Sequence, residues 1–204
     1  MTLGTPNPRQ REFLACEKKY VAFGGARGGG KSWAVRCKAK LLALRYAGIR
    51  ILLVRRSLAE LEANHLAFLR QELADVAEYR AGERQFRFCN GSVLQFGYCG
   101  CDRDLDRYQG AEYDVIFLDE ATQLKEQWMR QIAACVRGVN DFPKRIYYTC
   151  NPGGPGHGYI KRLFIDRRFE DGEQPEDYAF IPARVTDNTA LLARQPDYLK
   201  TLEA

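Results

Sequence analysis

The feature that most constrains this chain is the run Gly25-Ala26-Arg27-Gly28-Gly29-Gly30-Lys31-Ser32, which fits the spacing G-x-x-x-x-G-K-[ST] in full. Before it stands a short apolar run, Tyr20 to Phe23. After it, Ser32 to Ala47 places Ala34, Cys37, Leu41 and Leu44 on one helical stripe. Strand, Gly-rich turn and helix in this order form a cradle for phosphate. Glycines let successive backbone N–H groups turn inward without Cβ clashes, and the helix N-terminus adds partial positive charge. Lys31 is then expected to bridge the β- and γ-phosphates of a nucleotide, and Ser32 to ligate Mg2+. The plain alternative is a Gly-rich turn with an incidental lysine, and the full match in this context argues against it.

The rest of the chain reads as an α/β fold around that turn. Gly48 ends the helix, and Ile49 to Val54 (IRILLV) has the near-continuous apolar character of a strand covered on both faces. Leu58, Leu61, Phe68, Leu69, Leu73 and Val76 recur at helical spacing, which predicts a helix capped by Ser57 and running to about Glu78. His65 falls near that stripe and reads as a partly buried core histidine. Two β-rich stretches between Arg84 and Tyr98 flank Asn90-Gly91, a hairpin signal with both turn residues at positive φ. Val115 to Leu118 is a third buried strand, a helix follows from about Lys125 to Val136, and Lys144 to Thr149 is a further strand stopped by Asn151-Pro152-Gly153-Gly154. Beyond Pro155 the pattern weakens. The expectation is a three-layer sandwich with a mostly parallel central sheet and a β-hairpin insertion.

Composition narrows the class. The 204 residues carry 28% charged and 12% aromatic side chains with a net charge of +5, an ordinary globular balance that excludes disordered, collagen-like and coiled-coil chains. No window approaches the roughly 18 apolar residues of a membrane span, and the N-terminus lacks the order of a secretory signal, so a soluble intracellular protein is expected. Seven cysteines without paired C-x-x-C spacing read as free thiols. Zinc ligation by Cys89, Cys99 and Cys101 would lack a fourth ligand. Most of the basic residues are arginine, which suits phosphate recognition but also follows from a GC-rich genome.

Further residues extend the chemistry. Asp119 and Glu120 close the apolar run from Val115, and carboxylates at the carboxyl end of a parallel strand open into the crevice of the phosphate loop. Asp119 is expected to hold Mg2+, and Glu120 to orient and polarise an attacking water, which separates hydrolytic enzymes from phosphotransfer kinases. Arg27, inside the loop, can neutralise charge on a γ-phosphate. Thr149 and Asn151, ending the next strand, can hydrogen-bond that phosphate or its water.

Together GGARGGGKS, VIFLDEA and YTCNPGGPGHGYIK resemble the ATPase domain of bacteriophage terminase large subunits, the motors that package DNA into procapsids. The resemblance runs from Asn7-Pro8-Arg9-Gln10 to about Asn188. It implies a P-loop NTPase fold of the RecA/ASCE type, ATP and Mg2+ as ligands, an adenine contact from Gln10, a γ-phosphate sensor at Arg27 and a catalytic glutamate at Glu120. Coupling of hydrolysis to motion falls to Thr149, Cys150 and Asn151, with Cys150 standing where a small or hydroxyl residue is usual. The implied partners are double-stranded DNA, the portal and procapsid, the terminase small subunit and neighbouring copies in a ring, within the cytoplasm of a bacterial host, with the isolated domain a monomer. Arg137 is the candidate for an arginine offered to a neighbour's γ-phosphate. The ATPase domain is expected over 1–155 and a small lid or linker subdomain over 156–204, the family's C-terminal nuclease being absent from these residues. A helicase- or recombinase-like DNA-dependent ATPase remains the main alternative, and a nucleotide-gated scaffold without turnover a second. A GTPase would need an N-K-x-D that the sequence lacks.

Overall fold

Along the central strands alternate side chains enter two separate cores, as a sheet covered on both faces requires. Val21 and Phe23 pack into one core and Ala22 into the other. Ile51 and Leu53 are divided in the same way from Leu52 and Val54. The computed structural model describes residues 4–195 and 197–198. Its strands are β1 (Tyr20–Gly25), β2 (Arg50–Arg55), β3 (Ala77–Arg80), β4 (Gln85–Phe88), β5 (Val93–Tyr98), β6 (Val115–Leu118), β7 (Arg145–Cys150) and β8 (Tyr178–Ala183). They form one sheet in the order β3-β4-β5-β2-β6-β7-β1-β8. From β5 to β8 every neighbouring pair is parallel, and β3, β4 and β5 pair antiparallel.

The helices are α1 (Pro8–Ala15), α2 (Lys31–Arg45), α3 (Leu58–Leu61), α4 (Ala67–Glu72), α5 (Glu126–Ala133), α6 (His157–Ile160) and α7 (Thr189–Arg194), with π-helical turns at Glu62–Leu66 and Lys161–Ile165. Residues of α1, α2, α3 and α4 fill one core, and those of α5 and α6 the other. This is the three-layer, mostly parallel sandwich expected from the sequence. Strand β7 stands between β1 and β6, so the two strands that carry the motifs are separated by the one that ends in Thr149 and Cys150.

Several details depart from the sequence reading. In α2 Ala34 and Cys37 are buried, but Leu41 and Leu44 are partly exposed at 38% and 40%, while Arg36, Lys38 and Lys40 are buried. Polar partners make this possible. Lys38 Nζ donates to the carbonyls of Leu14 and Cys16, Lys40 pairs with Glu72, and Arg36 donates to Asn64 O. Ser57 does cap α3, accepting from the Glu60 N–H. The helix that follows stops at Glu72, and Ala77 and Glu78, expected to end the helix, instead open β3, which pairs with β4.

The hairpin at Asn90-Gly91 is present, but only Gly91 takes positive φ. Phe88 pairs with Ser92 across a longer turn, the geometry of a three-residue loop with a left-handed last residue. The hairpin joins the main sheet, since β5 lies parallel to β2. The stretch after Pro155, expected as a lid or linker, supplies α6 to the second core and β8 to the sheet edge, where β8 pairs with β1 from Tyr20↔Tyr178 to Gly25↔Ala183. Among the described residues, 184–195 and 197–198 follow this edge strand. Among the described residues no helix is long and apolar enough to cross a membrane.

Candidate active site

Because β1, β2, β6, β7 and β8 run parallel, their carboxyl ends meet along one edge, and that edge gathers the chemistry. The loop from β1 to α2 bends through Gly25, Gly28 and Gly30 at φ of +138°, +78° and +73°, values that L side chains rarely adopt. A Cβ on Gly24 would collide with Cys150 Sγ and the Cys150 carbonyl. The loop is therefore seated on β7 through a contact that only glycine permits. Ala26 N–H donates to Ala183 O at 3.0 Å and Asn188 Nδ2 to Gly28 O at 2.6 Å, which ties the loop to the chain beyond β8.

Lys31 is buried. Its Nζ donates to Ala26 O and, at 2.7 Å, to Asn151 Oδ1. Burial pushes its ammonium below the ordinary lysine range, opposed by Cys150, Asp119 and Glu120. Arg27, Lys31, Ser32, Glu120 and Asn151 line one cavity of about 510 Å3, within the range of small-ligand sites. Trp33, Phe68 and Leu191 add apolar wall to it.

Asp119 is 1% exposed and strongly held. Its Oδ2 accepts from Arg55 Nε and His65 Nε2, both at 2.8 Å, and its Oδ1 from Thr149 Oγ1 at 2.5 Å. Burial alone would raise this carboxyl, but His65, Arg55 and Thr149 outweigh it and hold it well below the usual carboxylate range. The same Arg55 reaches Glu120 Oε1 through Nη2 at 2.8 Å. Glu120 sits at φ 52°, ψ 47°, a left-handed conformation uncommon outside glycine and costly for other residues, and its N–H donates to Thr149 Oγ1 at 2.8 Å. Thr149 thus links the two acids through one hydroxyl, and Thr122 Oγ1 donates to Asn151 O next to it.

Arg55 and His65 are the residues that sequence reasoning missed. The rule that located Asp119, a polar residue ending a buried parallel strand, applies equally to Arg55 after IRILLV. His65 gave no such signal. It is fully buried as a core histidine would be, but its partner is Asp119.

The donors present suit Mg2+, a hard cation that takes oxygen ligands and keeps phosphate and water in its shell: Ser32 lines the cavity, and the ionised Asp119, buried behind it, ends β6 beside the cavity-lining Glu120. Among the described residues no group of three His, Cys, Asp or Glu is placed to hold a metal ion, so a cation here would draw most of its ligands from phosphate and water.

The family model described as terminase large subunit, T4likevirus-type, N-terminal, matches residues 22–204. The chain belongs to this terminase family. No curated protein matches it. Among solved structures it is similar to the large terminase of a thermophilic bacteriophage, with a TM-score of 0.75 at 16% identity over 96% of this chain and 50% of that one. It is similar also to the Thermus phage P74-26 large terminase ATPase domain (TM-score 0.67, 15% identity, 93% and 85% covered). A third likeness is to the N-terminal domain of the DNA packaging ATPase from bacteriophage phi29 (TM-score 0.58, 19% identity, 87% and 96% covered). At these identities the likeness is one of fold. The chain spans about half the length of the thermophilic phage's terminase, which has also been solved in complex with ADP and with ATP-gamma-S.

Of the residues expected to act in a terminase, Arg27, Gly28 to Ser32, Glu120 and Asn151 come together around the cavity. Gln10, expected at adenine, accepts from Asn7 N–H and donates to Gly30 O, so its amide is engaged in bracing the phosphate loop. Thr149 and Cys150 are buried, and burial pushes the Cys150 thiol up to about 11. Arg137 lies at the opposite, amino-terminal end of β6, where its N–H donates to Tyr113 O and its side chain pairs with Glu112 at 3.4 Å.

Proposed function

We propose that this domain binds and hydrolyses ATP with Mg2+ and that the hydrolysis powers movement of double-stranded DNA into a procapsid. The observation that carries the reading is the convergence of Lys31, Ser32, Arg27 and Glu120 on one cavity at the carboxyl ends of parallel strands. Ser32 and Asp119 would hold Mg2+, which supplies positive charge against the β- and γ-phosphate oxygens. Lys31 exchanges Asn151 Oδ1 and Ala26 O for phosphate oxygens, and the N–H groups of Gly28 to Lys31 face the same anion. Arg27 neutralises charge that develops on the γ-phosphoryl group. Glu120, braced by Arg55, orients and polarises the attacking water. Gln10 acts on the nucleotide through the loop it holds.

Coupling runs through Thr149, Cys150 and Asn151, because a change at the γ-phosphate reaches Asn151 through Lys31 and Thr149 through the acidic pair. The motor works as a ring of copies on the portal, fed by the small subunit, in the cytoplasm of the bacterial host. Arg137, at the opposite end of β6 from its own cavity, would act on a neighbour's γ-phosphate. The lid role falls to the stretch beyond β8, whose Asn188 already touches the phosphate loop.

The test is Lys31→Ala, followed by phosphate release and by binding of Mg-ATP. Hydrolysis should be abolished and binding weakened. Near-normal turnover would overturn the reading.

A further inference from the structure

We propose that His65 is a positioning residue for Asp119, fixing the carboxylate so that a single acceptor site, on Oδ1, is left for the water shell of Mg2+. The inference rests on the ATPase reading above.

A carboxylate offers about four acceptor positions, two on each oxygen. Arg55 Nε and His65 Nε2 take both positions of Oδ2, and Thr149 takes one of Oδ1. Since an ionised carboxylate only accepts, the hydrogen between His65 and Asp119 resides on Nε2. His65 is fully buried, and its Nδ1 has no hydrogen-bond partner. Burying an unpaired ring nitrogen costs stability, so packing alone would favour an apolar side chain at this position. The bond to Asp119 is what the imidazole contributes in return.

Local backbone supports the same role. His65 sits in the π-helical turn Glu62–Leu66, a distortion that occurs mostly as single turns and frequently at functional sites. Within that turn Asn64 Nδ2 donates to Glu60 O, and Asn64 O accepts from Arg36, which holds the residue before His65 through its side chain and its carbonyl. Arg55 Nη1 donates to Glu60 O as well, so the two groups on Oδ2 are braced against one another.

The experiment compares His65→Leu and His65→Gln with the unaltered domain by titrating a fluorescent ATP analogue at a series of Mg2+ concentrations and again in EDTA. Partners of this kind typically change metal affinity by about 10- to 100-fold. His65→Leu should therefore raise the Mg2+ concentration for half-maximal binding by about that factor and leave binding in EDTA unchanged. His65→Gln, whose amide N–H reaches towards Oδ2, should recover most of the loss. Equal weakening with and without Mg2+, an unchanged Mg2+ requirement, or a Gln variant no better than Leu would each overturn the proposal. Should His65→Leu fail to fold, His65→Asn takes its place: its shorter amide must show the raised requirement that Gln does not. If the unaltered domain shows no Mg2+-dependent nucleotide binding, the ATPase reading itself fails. Mg2+-dependent binding that ignores His65 removes only the present inference.

Discussion

Replacing Thr149 with valine keeps the shape of the side chain and removes one oxygen, and that oxygen serves two partners. It donates to Asp119 Oδ1 at 2.5 Å and accepts from Glu120 N–H at 2.8 Å, at a residue only 1% exposed. A hydrogen bond to a charged group contributes about 1.5–3 kcal/mol, and a buried donor left without a partner costs about 1–3 kcal/mol. With no cavity to add, Thr149→Val should lose about 3 kcal/mol or somewhat more. For a domain of this size that lowers Tm by about 6–12 °C, at roughly 2–4 °C per kcal/mol. Hydrolysis should fall further than stability implies, because Glu120 keeps its left-handed conformation partly through this bond. Thermal unfolding followed by circular dichroism, with phosphate release measured well below Tm, reads both effects. Thr149→Ser, which keeps the hydroxyl, should retain most of each. A Val variant within about 0.5 kcal/mol of the unaltered protein, the ordinary range of an inert surface change, would refute the reasoning.

Two other perturbations test the charged interior. Arg55→Met strips the guanidinium from the buried Asp119 and should destabilise by about 3–5 kcal/mol in urea unfolding, with partial recovery when Asp119→Asn is added; indifference to Arg55 would show that the pair is not what holds the acids. Lys38, pushed down from 10.5 to about 8 by burial and then by Arg145, favours the neutral amine in the folded state. Its cost to stability is therefore complete below about pH 8 and is relieved as pH rises towards 10.5, a change of about 3 kcal/mol. Unfolding curves for the unaltered protein and Lys38→Met should diverge over that window, and parallel curves would sink the assignment.

The phosphate loop, β6 and the acidic pair were legible because each follows from a local rule, glycine at positive φ or a carboxylate ending an apolar run. The face of α2 was not. Its buried side carries Arg36, Lys38 and Lys40, whose charges meet carbonyls and Glu72 from segments far along the chain, and periodicity counts such residues as solvent-facing. The start of β3 was read as the end of a helix because Leu73 and Val76 continue the apolar spacing of the helix before it, and only pairing with β4 decides the matter. β8 is an edge strand whose identity comes from β1. Within the site, Arg55 was readable from its place at a strand end. The contact of His65 with Asp119 is made from a π-helical turn that leaves no mark in composition.

The place of β1 in the sheet bears on how the domain comes into being. Its two neighbours are β7 and β8, so the strand that carries the phosphate loop gains its first partner only when Arg145–Cys150 has been made and its second only with Tyr178–Ala183. Contacts this distant in sequence are slow to form and leave strand edges open meanwhile. On a ribosome the loop emerges early and must wait, unsupported, for most of the domain to follow. The loop's seating is thereby completed only once β8 docks: Ala183 O and Asn188, which hold Ala26 and Gly28, come late among the described residues.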